Sequence, residues 1–134
     1  MTRIAIVTGS VRPGRHSLTV ADWVKSIADK RSDAQVEVVD IADFQLPVWK
    51  EAVPPSGASG GSTEQSKAWS QRMGEFDGFT VLMSLFHDFE GFTKFAPSKP
   101  ATAAVGPMLD NLVLWTKAME AVRAGEFEVD RKAA

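Results

Sequence analysis

Ile4-Ala5-Ile6-Val7 is a continuous apolar run that stops at Thr8-Gly9-Ser10. Such a run predicts a parallel strand covered on both faces and ending in a turn. From Ser17 the apolar spacing becomes helical. Val20, Val24, Ile27 and Ala28 share one face, and Asp22, Lys25, Asp29 and Lys30 share the other, which predicts a helix to about Arg31. Val36, Val38 and Val39 then predict a second strand ending at Asp40, completing a β-loop-α-β unit with a right-handed crossover.

Residues 41–62 carry Leu46-Pro47, Pro54-Pro55 and the run Ser56-Gly57-Ala58-Ser59-Gly60-Gly61-Ser62. This composition buries little and predicts a long flexible loop over about 50–62, not a domain boundary. Ser62 and Gln65 have the spacing of a capping box, and Trp69, Met73 and Phe76 follow at helical intervals. A second helix of about three turns follows from that pattern, with Asp77-Gly78 ending it. Phe79 to Phe86 predicts a third strand, apolar on both faces apart from Thr80 and Ser84. In the irregular stretch from His87 to Lys99, the phenylalanines at 86, 89, 92 and 95 are expected to cover a sheet edge. A final helix is marked by Val105, Met108, Leu109, Leu112, Thr116 and Met119. Pro107 fits only a first turn, which places the regular helix from near Gly106. The polar tail over 124–134 is expected to fray. The whole chain, 1–134, thus reads as one α/β domain with a short parallel sheet of about three strands and helices on both faces.

Composition narrows what such a domain does. A chain of 134 residues with 44% hydrophobic content supports a modest core. Its net charge of −2 supplies no basic field for nucleic acid or an acidic membrane. Cysteine is absent, which excludes disulfides, thiolate catalysis and Cys-ligated zinc or iron–sulfur centres. No stretch approaches a membrane span, and the first apolar run is too brief for a signal sequence. The expected location is the cytoplasm.

The informative segment is Thr8-Gly9-Ser10-Val11-Arg12-Pro13-Gly14-Arg15-His16-Ser17, which joins a buried strand to a helix. Helix N-termini offer free amides and partial positive charge, so an anion there gains bonds from the backbone and from Ser10 and Ser17. Arg12 and Arg15 are placed to neutralise a phosphate. In the alternative reading, Gly9 and Gly14 serve turn geometry, Ser17 caps the helix and both arginines are solvated. Two well-known phosphate loops fit poorly. A Walker loop has Lys and Ser or Thr after its second glycine, where this chain has Arg15-His16 after Gly14. A dinucleotide fingerprint has glycine where Val11 stands. Asp40 does occupy the strand-end position of a ribose-binding acid, but it reads better as a cap of its own loop.

Thr8-Gly9-Ser10-Val11-Arg12-Pro13-Gly14-Arg15, Val20-Ala21-Asp22-Trp23-Val24 and Val38-Val39-Asp40-Ile41-Ala42-Asp43-Phe44-Gln45-Leu46-Pro47 together resemble the NADPH-dependent FMN reductase family, whose fold is flavodoxin-like. The similarity continues through Lys67-Ala68-Trp69-Ser70, Phe76-Asp77-Gly78-Phe79, Leu85-Phe86-His87-Asp88-Phe89 and Met108-Leu109-Asp110-Asn111-Leu112. The resemblance implies a flavodoxin-like three-layer sandwich. It implies FMN as cofactor, NADPH as electron donor, and Ser10, Arg12, Arg15 and Ser17 on the FMN phosphate. With Gly9 and His16 these make the candidate cofactor-binding set. The family's Thr-Pro-Glu-Tyr-Asn segment, which contacts the flavin ring, has no counterpart here, and the chain contains no tyrosine. The phosphate half of the site is therefore present and the ring half is not. A non-catalytic flavodoxin-like module that binds a phosphate ligand or a protein partner is the alternative, and a shortened chain without function of its own is a third.

No other cluster points to chemistry. His16 and His87, the two histidines, read as solvated loop residues, not metal ligands. No spacing forces two of Asp40, Asp43, Asp88 and Glu90 together as a catalytic pair, so no general acid or base is assigned. Of the four tryptophans, Trp23, Trp69 and Trp115 are expected to pack on helices, and Trp49 is the candidate for a flavin contact. A three-stranded sheet exposes long edges, which predicts a homodimer.

Overall fold

Thr2–Thr8 forms β1, Ser17–Ala28 α1, Ala34–Asp40 β2, Glu64–Met73 α2, Gly78–Leu82 β3 and Lys99–Arg123 α3; the two-residue strands Phe89–Glu90 (β4) and Lys94–Phe95 (β5) precede α3. The computed structural model describes residues 1–48, 63–82 and 88–126. The expected loop at 50–62, Trp49, His87, positions 83–86 of the expected third strand and the tail from 127 lie outside the described residues.

β1 lies between β2 and β3 in a parallel sheet of order β2-β1-β3. The alternation of side chains across β1 explains its unbroken apolar run, because each face meets a different layer. Ile4 and Ile6 pack with Ala34 and Val36 against Val24 and Ala28 of α1 and Val105, Leu109 and Val113 of α3. Ala5 and Val7 turn the other way, joining Val39 and Phe76 beneath Phe44, Trp69 and Met73. The result is three layers, with α1 and α3 on one side and α2 on the other.

At the amino end of β1 two ion pairs and an aromatic ring tie α2 to the sheet. Arg3 and Arg72 donate to Glu37 at 2.9 and 2.7 Å. Both guanidiniums lie over the Phe76 ring, 5.0 and 4.7 Å from its centre. The hydrogen bonds from these two arginines hold the Glu37 carboxyl below the usual glutamate range. Asp77 then exchanges two bonds with the Arg3 backbone, each 2.8 Å, and so sets where β3 begins beside β1.

Several elements depart from the sequence pattern. α2 is capped by Thr63, whose hydroxyl accepts from the Ser66 amide at 3.1 Å, in place of the expected Ser62. α3 begins at Lys99, capped by Ser98, and runs through Pro107 instead of starting beside it. Pro107 and Ala103 lie on the exposed side of α3, where water can reach the carbonyl that proline leaves unbonded. Val113 belongs to the core and Met119 is largely exposed, since the helix axis sets a slightly different face from the one the spacing implied. β3 is buried on one face only. Phe79 and Val81 stand out on the side of α2, 45% and 64% exposed, because α2 lies over β1 and β2 and leaves this edge strand uncovered. Phe89 and Phe95 pack on α1 through His16 and Trp23, not on a sheet edge. Trp115 is 68% exposed, so packing does not account for it. No helix among the described residues is long and apolar enough to cross a membrane.

Candidate functional site

The loop after β1 is shaped by its own sequence. The Arg15 amide donates to the Arg12 carbonyl at 3.2 Å, and Gly14 has φ +70°. Proline second and glycine third is the residue order a type II turn requires, since only the third position needs positive φ. Nothing lies within 4 Å of a Cβ built on Gly14, so its dihedral and not its size is what the turn uses. The turn delivers the chain to the start of α1. His16 occupies the N-cap without a side-chain cap bond, which leaves the first amides of the helix open to a ligand.

Ser17 is the first residue of α1, not its cap. It is 4% exposed, and its Oγ has no hydrogen-bond partner among the described residues. The same is true of one other buried side-chain atom among the described residues, the Nε of Arg15. Both lie in this loop, two positions apart. A buried polar group without a partner costs about 1–3 kcal/mol, so two of them two positions apart set this segment apart among the described residues.

One terminal nitrogen of the Arg15 guanidinium pairs with Oδ2 of Asp40. Oδ1 of Asp40 accepts from the Thr8 hydroxyl at 2.9 Å and from the Ala42 amide at 3.0 Å. Burial by itself would raise this carboxyl. The bonds from Ala42, Thr8 and Arg15, with the arginine's charge, outweigh it and hold Asp40 below the usual aspartate range. Asp40 also caps the short 3-10 turn Ile41–Phe44, as its strand-end position implied.

Of the remaining candidates, Gly9 and Arg12 are exposed, and Ser10 is half-buried at the end of β1. His16 sets its ring against Phe89, with centres 4.5 Å apart, and Phe89 continues to Phe95 at 5.2 Å. Sequence reasoning missed both the clamp on Arg15 and this aromatic contact. The clamp had a signal: Thr8 and Asp40 close two adjacent parallel strands and fall opposite each other in register. The Phe89 contact had none, being set by how the β4–β5 hairpin folds back onto α1.

Order β2-β1-β3, helices on both faces, and a loop at the carboxyl end of the central strand leading into α1 define a flavodoxin-like α/β protein. A family model described as NADPH-dependent FMN reductase matches residues 2–87, and the chain belongs to that family. It is 37% identical over 88 residues to the NAD(P)H-dependent FMN reductase ntnL of a Nectria species, covering 62% of this chain and 44% of that protein. It is 32% identical over 81 residues to an NAD(P)H-dependent FMN reductase of Schizosaccharomyces pombe, covering 60% of this chain and 40% of that one. The chain thus spans less than half the length of these curated relatives.

Proposed function

We propose that this chain binds FMN by its phosphate on the 9–17 loop and acts as an NAD(P)H-dependent FMN oxidoreductase in the cytoplasm. The observation that carries this reading is the pair of buried, unpartnered donors, Ser17 Oγ and Arg15 Nε, at the open N-terminus of α1. A phosphate accepts from both, and Ser10 and Arg12 stand in the same loop to complete its shell. Bound flavin supplies the hydride chemistry itself, which is why no catalytic acid or base is required of the protein. The test is a titration of the chain with FMN against riboflavin, which lacks the phosphate. Binding at least tenfold tighter for FMN is the expected result, and equal affinities would remove the phosphate site.

The absence of tyrosine from the chain favours a second reading, a flavodoxin-like module that holds a phosphate ligand without turnover. NADPH oxidation in the presence of FMN separates the two.

The chain is also proposed to form a homodimer. Among the described residues β3 pairs with β1 alone, and Phe79 and Val81 on β3 are exposed, as are Leu114, Trp115 and Met119 on α3. An unpaired strand edge beside apolar surface favours association. Light scattering is expected to give twice the chain mass of 14.5 kDa, and a monomer at high concentration would count against pairing.

A further inference from the structure

Asp40 ends β2, outside the 9–17 loop. Its three hydrogen bonds come from three different segments: the end of β1 through Thr8, the turn after β2 through Ala42, and the phosphate loop through Arg15. Oδ1 is committed to Thr8 and Ala42, which pins the carboxylate plane, and Oδ2 is left for the guanidinium. The Arg15 and Asp40 side chains are 20% and 11% exposed, so the pair is shielded from water.

We propose that Asp40 is the positioning residue of the phosphate loop: it holds the far end of the Arg15 guanidinium so that the Nε–H stays buried beside the open end of α1, ready for a phosphate oxygen. The inference rests on the phosphate-site reading of the 9–17 loop. An unrestrained arginine carries large rotamer freedom that a ligand would have to remove. Fixing it in advance transfers that cost from binding to folding. The guanidinium has five N–H donors in a rigid fork, so a carboxylate at one end leaves Nε free to serve a second acceptor. Asp40 also offsets the charge of Arg15. Arg12, exposed in the same loop, is then the cation that gives the site its net attraction for a phosphate dianion.

The Asp40 carboxylate is itself negative and competes with phosphate for Arg15. Its charge is already shared among three donors, one of them cationic, which leaves little field beyond the pair. Ordering of Arg15 therefore outweighs repulsion, and loss of Asp40 weakens phosphate binding.

The experiment compares the FMN-to-riboflavin affinity ratio in the wild type, Asp40→Asn, Arg15→Ala and the double variant. Asparagine keeps an acceptor for Thr8 and Ala42 but turns an amide donor toward the guanidinium, and so releases it. Asp40→Asn is expected to lower the ratio about tenfold, with riboflavin affinity unchanged. In the Arg15→Ala background the same substitution is expected to have no further effect on the ratio, because Asp40 acts through Arg15. Equal loss for both flavins would reveal a purely structural role and overturn the proposal, as would an unchanged or increased ratio in Asp40→Asn. A wild type that does not distinguish FMN from riboflavin would overturn the phosphate site, and this inference with it. A wild type that does, alongside an Asp40→Asn variant that does so equally, would overturn the role of Asp40 alone.

Discussion

Gly78→Ala is expected to destabilise the chain by about 2 kcal/mol, and Gly78→Val to abolish cooperative folding. Gly78 opens β3 opposite Ile4, at the place where α3 lies directly on the sheet. A Cβ at this position would sit 2.3 Å from Oγ1 of Thr116, 3.3 Å from its Cγ2 and 3.4 Å from its Cβ. Thr116 is buried, and a β-branched side chain within a helix has few rotamers into which it can retreat. The helix itself would have to move off the sheet, taking Leu109 and Val113 with it. Strand propensity argues the other way, since valine suits a strand better than glycine by up to about 1 kcal/mol. The sign of the measured change therefore decides between local preference and packing. Urea denaturation of Gly78→Ala, Thr116→Ala and the double variant is the measurement. The double variant is expected to recover most of the loss, because removing Oγ1 and Cγ2 clears the two nearest atoms. A neutral Gly78→Ala in the wild-type background would show that α3 does not press on β3 as described.

Ser17 offers the second large effect, with stability and binding moving in opposite directions. Ser17→Ala removes a buried hydroxyl that has no partner, so the free chain is expected to gain about 1 kcal/mol. The same change removes a hydrogen bond to a charged phosphate and is expected to weaken FMN about tenfold. Ser17→Asp sets a carboxylate against the dianion and is expected to weaken FMN by about 100-fold or more. An acidic residue in the first helical turn is favoured by the helix dipole, which helps the variant to stay folded. Riboflavin affinity should be unchanged in both variants. Parallel losses for the two flavins, or no loss of FMN in Ser17→Asp, would place the phosphate elsewhere.

The central strand and the first helix were legible in the sequence because their patterns are local and strong. A run such as Ile4 to Val7 has few homes other than the middle of a sheet covered on both sides. The step from that run to Val20 and Val24 at helical spacing marks a βα turn wherever it occurs. The turn between them was legible for the same reason, as it is dictated by Pro13 and Gly14 and the helix follows directly. The start of α3 was not legible. Pro107 is a strong local signal against an interior position, yet the helix buries Val105 and Leu109 on either side of it, and packing outweighs the one backbone bond that proline forfeits.

From its sequence alone this protein was determined to be an α/β protein with a buried central strand, a Pro-Gly turn after that strand leading into a helix, and the residue types of the FMN reductase family. Tertiary structure decided which strand faces stay uncovered, so that Phe79 and Val81 are exposed although their sequence reads as core. It decided that Arg15 is clamped by Asp40 and that Ser17 is buried with no hydrogen-bond partner among the described residues. The physical reason is common to both. Hydrophobic periodicity records how a segment meets its immediate layer, whereas the neighbours of the edge strand β3 and the Arg15–Asp40 pair join residues 25 or more positions apart, and only the folded chain brings them together.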